Sequence, residues 1–147
     1  MGLKDYSFVR PQLLRLFQAK NNPPLVKYID NFIKAGNQHG VDPRILITIA
    51  NNESSLGKAY PPQTFNPFGY RGGTDSTINY LNAGFTSIPH AIDALTYRFV
   101  RPGTTQGYAD FRINPTLELL QQAYNANPAE RNIYLQNSAD ILPFFQD

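Results

Sequence analysis

Apolar residues recur at helical spacing along most of the chain. This pattern predicts five to six helices, over residues 11–20, 24–39, 42–56, 87–100, 115–124 and 128–144. Three of the predicted helices begin at an Asp-Pro or Asn-Pro pair, at Asp42, Asn114 and Asn127. The acidic or amide side chain can cap free backbone N–H groups, and proline at the first helical position loses no hydrogen bond.

The helical spacing disappears between residues 58 and 86. Residues 58–74 are rich in proline and glycine and predict a long loop. The alternation of Ile78, Tyr80 and Phe85 around Asn82-Ala83-Gly84 predicts a short β-hairpin. We therefore expect a mainly α domain with a small hairpin and loop insertion, and loops of this length usually carry function.

Composition excludes several classes of site. The chain has 147 residues, a net charge of +2 and no cysteine. The small charge argues against nucleic acid as a partner, and the absence of cysteine excludes disulfides, thiolate ligands and a thiol nucleophile. His39 and His90 lie far apart in sequence, so we expect no metal and no cofactor.

No stretch of the sequence approaches the roughly 20 apolar residues of a membrane-spanning helix. The first residues do not form a signal peptide, so any targeting segment is expected to lie outside this chain. The basic segment 1–22, with Arg10, Arg15 and Lys20, predicts a solvated N-terminal helical extension.

Glu53 stands out within the segment ILITIANNESSLG. It lies four residues after Ile49 and eight after Ile45, on the apolar face of its predicted helix and in the last turn. Desolvation and the negative end of the helix dipole would both raise the pKa of its carboxyl group, which would make a proton donor near neutral pH. Alternatively, Glu53 tips out of the helix end and is solvated, or pairs with Lys58 or Arg71.

The segment NNESSLGKAYPPQTFNPFGYRGG resembles the lysozyme-like superfamily of peptidoglycan hydrolases. Glu53, Ser54 and Gly57 match the Glu-Ser-x-x-Gly helix end of lytic transglycosylases, goose-type lysozymes and glucosaminidases. Asn66, Phe68 and Gly69 match the Asn-x-Phe-Gly segment of bacterial glucosaminidases.

Two later segments extend the resemblance over about residues 40–145. The segment FTSIPHAIDAL, residues 85–95, is similar to the aromatic residue and helix that follow the cleft loop of glucosaminidases. Ala123-Tyr124-Asn125 is similar to the Ala-Tyr-Asn of transglycosylases. The transglycosylase Gly-Leu-Met-Gln segment is replaced by NPFGYRG, so the glucosaminidase-like loop fits better.

The resemblance implies a lysozyme-like α+β fold with a cleft, formed by a catalytic domain over residues 23–147. It implies that the protein is a monomeric glycosidase that cleaves β-1,4 bonds between N-acetylglucosamine and N-acetylmuramic acid, with Glu53 as general acid. Its partner would be peptidoglycan glycan strands. The location would be extracytoplasmic: secreted, associated with the cell wall or delivered by a phage.

A second catalytic carboxylate is not evident from the sequence. Asp75 is the candidate base, although it also fits a turn-forming residue in GGTDST, and Asp93 falls on the polar side of its helix. If neither takes part, the substrate's own 2-acetamido group could assist, as in transglycosylases, and leave an anhydro product. The sequence leaves hydrolysis and transglycosylation open.

The candidate substrate contacts are aromatic or amide groups in or beside the insertion, because sugars present C–H faces and polar rims. They are Ser54, Asn66, Phe68, Gly69, Tyr70, Tyr80 and Tyr124, and the aromatic set of the insertion also includes Tyr60 and Phe65. Phe65 or Phe68 could instead fill the core beneath the loop, and Tyr124 could be structural. The alternative function is a catalytically silent glycan-binding or scaffolding domain that retains the fold.

Overall fold

The computed structural model describes residues 5–70, 84–98 and 138–145. The protein is mainly helical. Its α-helices in this part are α1 (Arg10–Ala19), α2 (Ile29–His39), α3 (Pro43–Ser54) and α4 (Ile88–Arg98). Short 3-10 turns cover Ser7–Val9, Pro24–Tyr28, Pro62–Thr64 and Leu142–Phe145. Within the described residues there is no β-strand.

The boundaries of α3 follow the chemistry of its terminal residues. Asp42 caps the helix, accepting a hydrogen bond from the Arg44 backbone N–H at 2.9 Å. After Ser54 the chain turns left-handed over three residues, with φ of 52° at Ser55, 59° at Leu56 and 94° at Gly57. The predicted start at Asp42 is confirmed, and the helix ends two residues earlier than predicted.

Helix α2 begins five residues later than its pattern predicts. Residues Pro24–Tyr28 form a 3-10 turn, and α-helical geometry starts only at Ile29. The predicted end is confirmed, because Gly40 takes the left-handed conformation and its N–H bonds the Gly36 carbonyl at 2.8 Å.

Helix α3 occupies the centre of the core. Every residue from Val41 to Ala50 is buried, including the charged pair at its start. Helices α2 and α4 pack against each other, and both contact α3. A helix that is buried on all sides in this way requires neighbours on every face.

Helix α1 belongs to the same core. Leu13, Leu16 and Phe17 are completely buried, and the helix contacts α2 and the turn Leu142–Phe145. The expectation of a solvated N-terminal helix is therefore wrong: Arg10 and Arg15 are exposed, but the buried residues named above form part of the hydrophobic core. The domain boundary at residue 23 stays a prediction.

Arg44 ties both ends of the described chain to α3. Its Nη2 bonds the Asp42 carboxylate at 2.6 Å, and its Nη1 donates to Gln12 Oε1 at 3.2 Å and to the Phe145 carbonyl at 3.4 Å. The guanidinium lies between two rings, 5.4 Å from the centroid of Phe8 and 5.7 Å from that of Phe145. A second link joins Lys20 to Asp140.

Several predicted elements lie outside the described residues: the helix 115–124, most of the helix 128–144, and the hairpin around Tyr80. The part of the helix 128–144 that is described does not continue to its predicted end. Ser138 is helical, but a turn follows and Leu142–Phe145 is a 3-10 turn. Pro143 explains this, since proline cannot continue an α-helix and disfavours α geometry in the preceding residue.

None of the helices in the described ranges is both long and apolar enough to cross a bilayer.

Arg44→Ala should destabilise the protein by about 3–5 kcal/mol in urea unfolding, because it leaves the buried Asp42 carboxylate without its charged partner. The matched control is Arg10→Ala, which removes an arginine from the exposed ion pair with Asp30. That variant should unfold close to the wild-type midpoint. Equal midpoints for the two variants would contradict the role given to Arg44.

Candidate active site

Glu53 lies in the last turn of α3 and its side chain is exposed. The prediction of a desolvated carboxylate is therefore wrong, although Ile45 and Ile49 on the same face are buried as expected. The reason is that only one face of the last turn stays covered: Ser54 is buried, whereas Asn52 is half-buried and Glu53 is exposed. The exposure agrees with the alternatives in which Glu53 tips out of the helix end, either solvated or paired.

The carboxyl group of Glu53 lies directly against Gly69. A methyl group added at the Gly69 Cα would come within 2.8 Å of the Glu53 Cδ and 3.2 Å of its Cγ. Gly69 also has a φ of +61°, a conformation that favours glycine. The two sequence segments that carry the resemblance, Glu53-Ser54 and Asn66-Pro67-Phe68-Gly69, therefore meet in space.

The loop around Gly69 is held by its own side chains. Asn66 Nδ2 donates to the Tyr70 carbonyl at 2.8 Å, and the Tyr70 N–H donates to Asn66 Oδ1 at 3.2 Å. Phe68 is completely buried, with its ring edge-on to Phe32 at a centroid distance of 6.0 Å. Asn66 and Phe68 were predicted to contact substrate; their burial instead gives them the role of fixing the loop, the alternative noted for Phe68.

Ser54 is also buried, in contrast to its predicted place among the substrate contacts. Its hydroxyl donates to the Ala50 carbonyl at 3.1 Å and accepts from the Gly57 N–H at 3.0 Å. Its carbonyl accepts from the N–H groups of Lys58 and Ala59 at 2.8 and 3.0 Å. Ser54 thus folds the chain back sharply after Glu53, which explains a Ser and a Gly at this spacing.

Tyr70 begins a row of rings that connects the loop to α4. Its ring is half-buried and lies 6.0 Å from that of Phe85, which in turn meets His90 edge-on at 5.8 Å. His90 Nδ1 accepts the Thr86 N–H at 3.1 Å, which fixes the start of α4. The ring contact between Tyr70 and Phe85 therefore links the loop around Gly69 to the segment that leads into α4. His90 was not among the predicted site residues. Its position in the first turn of α4, directly after the loop, could have indicated a role there.

Asn52, next to Glu53, links α3 to the C-terminal segment. Its Nδ2 donates to the Thr48 carbonyl at 3.0 Å and to Ser138 Oγ at 2.7 Å. Its Oδ1 is buried and has no hydrogen-bond partner among the residues that the structure describes. Asn52 was not among the predicted site residues, since a contact over 86 positions leaves no local signal.

The turn Pro24–Tyr28 flanks the chain that leaves α3. The Leu25 N–H donates to the Leu56 carbonyl at 3.2 Å, and a Cβ at Gly57 would lie 2.9 Å from Leu25 Cγ. Tyr28 and Tyr60 are both half-buried beside this crossing. Burial raises the pKa of the Tyr60 phenol, and the neighbouring Tyr28 adds to the effect.

Three predicted site residues, Asp75, Tyr80 and Tyr124, lie outside the described residues, so the structure does not place them. Asp93 is exposed, as expected, and pairs with His39 on α2 at 2.8 Å. Within the described ranges, no group of three or more histidine, cysteine or acidic residues is arranged to hold a metal ion.

Comparison of the chain with known protein families, curated proteins and solved structures found no match. The interpretation of the site therefore depends on its geometry and on the sequence resemblance.

Gly69→Ala should displace the Glu53 side chain, because the new methyl group would overlap its carboxyl group. Gly40→Ala is the matched control: Gly40 also has a positive φ, of +72°, but a Cβ there meets nothing within 4 Å. Both variants should lose about 1–2 kcal/mol in urea unfolding from left-handed backbone strain.

Only Gly69→Ala should change the ¹³C chemical shift of the Glu53 carboxyl carbon in NMR spectra. An unchanged Glu53 resonance in Gly69→Ala would contradict the contact.

Proposed function

We propose that the protein is a glycosidase that cleaves β-1,4 bonds between N-acetylglucosamine and N-acetylmuramic acid in peptidoglycan, with Glu53 as the general acid. The observation that carries the proposal is the contact between the Glu53 carboxyl group and Gly69. It joins the two segments on which the resemblance depends, although they are separated in sequence by a proline-rich loop.

The geometry suits a proton donor. A general acid must approach the leaving oxygen within hydrogen-bond distance, so it has to be open to substrate. Glu53 is exposed, whereas the groups that hold it and its neighbouring loop, Ser54, Asn66 and Phe68, are buried. Catalytic groups function best when their supports are rigid, and this arrangement combines an accessible carboxyl group with a fixed surrounding.

Exposure also determines how Glu53 would be kept protonated. Because Glu53 is exposed, bound substrate would complete the exclusion of water from its carboxyl group. A glycan strand lying along the loop would cover Glu53 beside Gly69 and Tyr70. In this proposal Tyr70, Tyr80 and Tyr124 contact the sugars, and the protein acts on cell-wall glycan outside the cytoplasm.

Two routes complete the reaction. In one, Asp75 is the second carboxylate and activates water. In the other, the substrate's 2-acetamido oxygen attacks C1 while Glu53 protonates the leaving oxygen. Glu53 then accepts the proton of the same sugar's 6-hydroxyl group, which displaces the acetamido oxygen and forms the anhydro product. The end groups of the products distinguish these routes.

Glu53→Gln should lower the rate of fragment release from purified cell walls by about 10²–10⁴-fold, because glutamine has nearly the same shape but cannot donate the proton. The rate is measured from soluble amino sugar released over time.

The matched control is Asp30→Asn, which neutralises an exposed carboxylate paired with Arg10. It should release fragments at the wild-type rate. Wild-type activity in Glu53→Gln would remove Glu53 from the mechanism. Wall binding without fragment release by the wild type would instead support the silent glycan-binding alternative.

A further inference from the structure

Tyr28, Tyr60 and Lys27 form a small surface beside the C-terminal end of α3. The Lys27 ammonium lies 5.4 Å from the centroid of the Tyr28 ring. Tyr60 follows the sharp turn at Ser54, and two hydrogen bonds to the Ser54 carbonyl, from Lys58 and Ala59, keep this chain near the last turn of α3. The surface therefore lies next to the helix end that carries Glu53.

The backbone under this surface is fixed. The bond from Leu25 to the Leu56 carbonyl joins the turn Pro24–Tyr28 to the chain after α3. Gly57 has a φ of +94°, and its Cα is packed so closely on Leu25 that a Cβ would come within 2.9 Å of Leu25 Cγ. Tyr28 and Tyr60 belong to these two joined segments, which brings the two tyrosines close to each other.

The side chains offer two kinds of recognition. Tyr60 is half-buried against the core, and the exposed part of its ring, with the phenol at its edge, suits a sugar ring with its C–H surface and polar rim. The contact with the Tyr28 ring favours one position of the Lys27 ammonium on its four-carbon stem. An ammonium in this position suits a carboxylate.

The surrounding charges favour an anionic ligand. Lys27 and Lys58 are both exposed. The acidic residue nearest to Tyr28 in sequence is Asp30, and its carboxylate is paired with Arg10 at 2.9 Å, which holds the pKa of Asp30 below its usual value. Lys27 therefore does not depend on Asp30 as its counter-ion.

We propose that Tyr60 and Lys27 form a subsite for a carboxylate-bearing sugar of the glycan strand, in which Tyr60 stacks on the sugar and Lys27, positioned by Tyr28, pairs with its carboxylate. This proposal rests on the proposed function, because it places the subsite beside Glu53 on the same strand. The ligand class is an N-acetylated glycan whose sugars carry lactyl or peptide carboxylates, as opposed to a neutral N-acetylglucosamine polymer.

The experiment measures binding by isothermal titration calorimetry, in a Glu53→Gln background so that no probe is cleaved. One probe is a soluble peptidoglycan fragment with free carboxylates, and the other is the neutral hexamer of N-acetylglucosamine. Tyr60→Ala should weaken both probes about tenfold, because it removes the stacking surface. Lys27→Gln and Tyr28→Ala should weaken only the anionic probe, about threefold.

The matched controls are Tyr97→Ala and Lys34→Gln. Tyr97 is an exposed tyrosine on α4 that packs against His39, at the opposite end of α2 from Tyr28. Lys34 is an exposed lysine in the middle of α2. Neither control should change the affinity for either probe, and circular dichroism melting should show that all variants are folded.

The outcomes separate this proposal from the proposed function. Unchanged affinities in Tyr60→Ala and Lys27→Gln, or failure of the parent to bind the anionic probe, would overturn the subsite, whatever the wild type does to cell walls. Equal losses for both probes in Lys27→Gln would overturn the carboxylate contact. The expected binding pattern, in a protein whose wild type releases no wall fragments, would support the subsite and contradict the cleavage.

Discussion

The structure depends on the burial of helix α3. Because every residue from Val41 to Ala50 is inside the protein, the polar groups at the start of this helix need partners within the core. Asp42 caps the helix and Arg44 pairs with Asp42, and Arg44 then takes Gln12 and the Phe145 carbonyl as its remaining partners. One buried charge pair thereby fixes the N-terminal helix and the C-terminal turn on the same central element.

The C-terminal end of α3 is partly exposed, in contrast to its fully buried start. After Ala50 only the face of Ser54 stays buried, so the last turn of the helix leaves Glu53 exposed on its other side. Ser54 turns the chain back, and the loop held by Asn66 and Phe68 returns to place Gly69 against the Glu53 carboxyl group. A rigid helix that emerges from the core next to a braced loop gives an accessible carboxyl group in a fixed position. This is the physical basis for assigning it a proton-transfer role.

The sequence predicted the helices in the described part well wherever a boundary was encoded locally. Asp42-Pro43 and Gly40 marked boundaries that the structure confirms, because capping and positive φ are properties of single residues. Helical spacing also placed Glu53 on the face of Ile45 and Ile49, but spacing does not reveal where the core ends, so its exposure was predicted wrongly. The same limit applies to Ser54, Asn66 and Phe68, whose burial depends on a loop that returns from elsewhere. The contact from Asn52 to Ser138 and the approach of Tyr28 to Tyr60 depend on distant segments, and the sequence pattern indicated only Tyr60, as an aromatic residue of the insertion.

The central claim is that the carboxyl group beside Gly69 acts on the glycan strand of peptidoglycan. The most direct measurement is mass spectrometry of soluble products after purified cell wall is incubated with the protein and then reduced with borohydride. The account predicts disaccharide-containing fragments from the wild type that end in reduced N-acetylglucosamine, reduced N-acetylmuramic acid or anhydro-N-acetylmuramic acid. Absence of any such glycan end, with only intact wall or peptide fragments recovered, would contradict it.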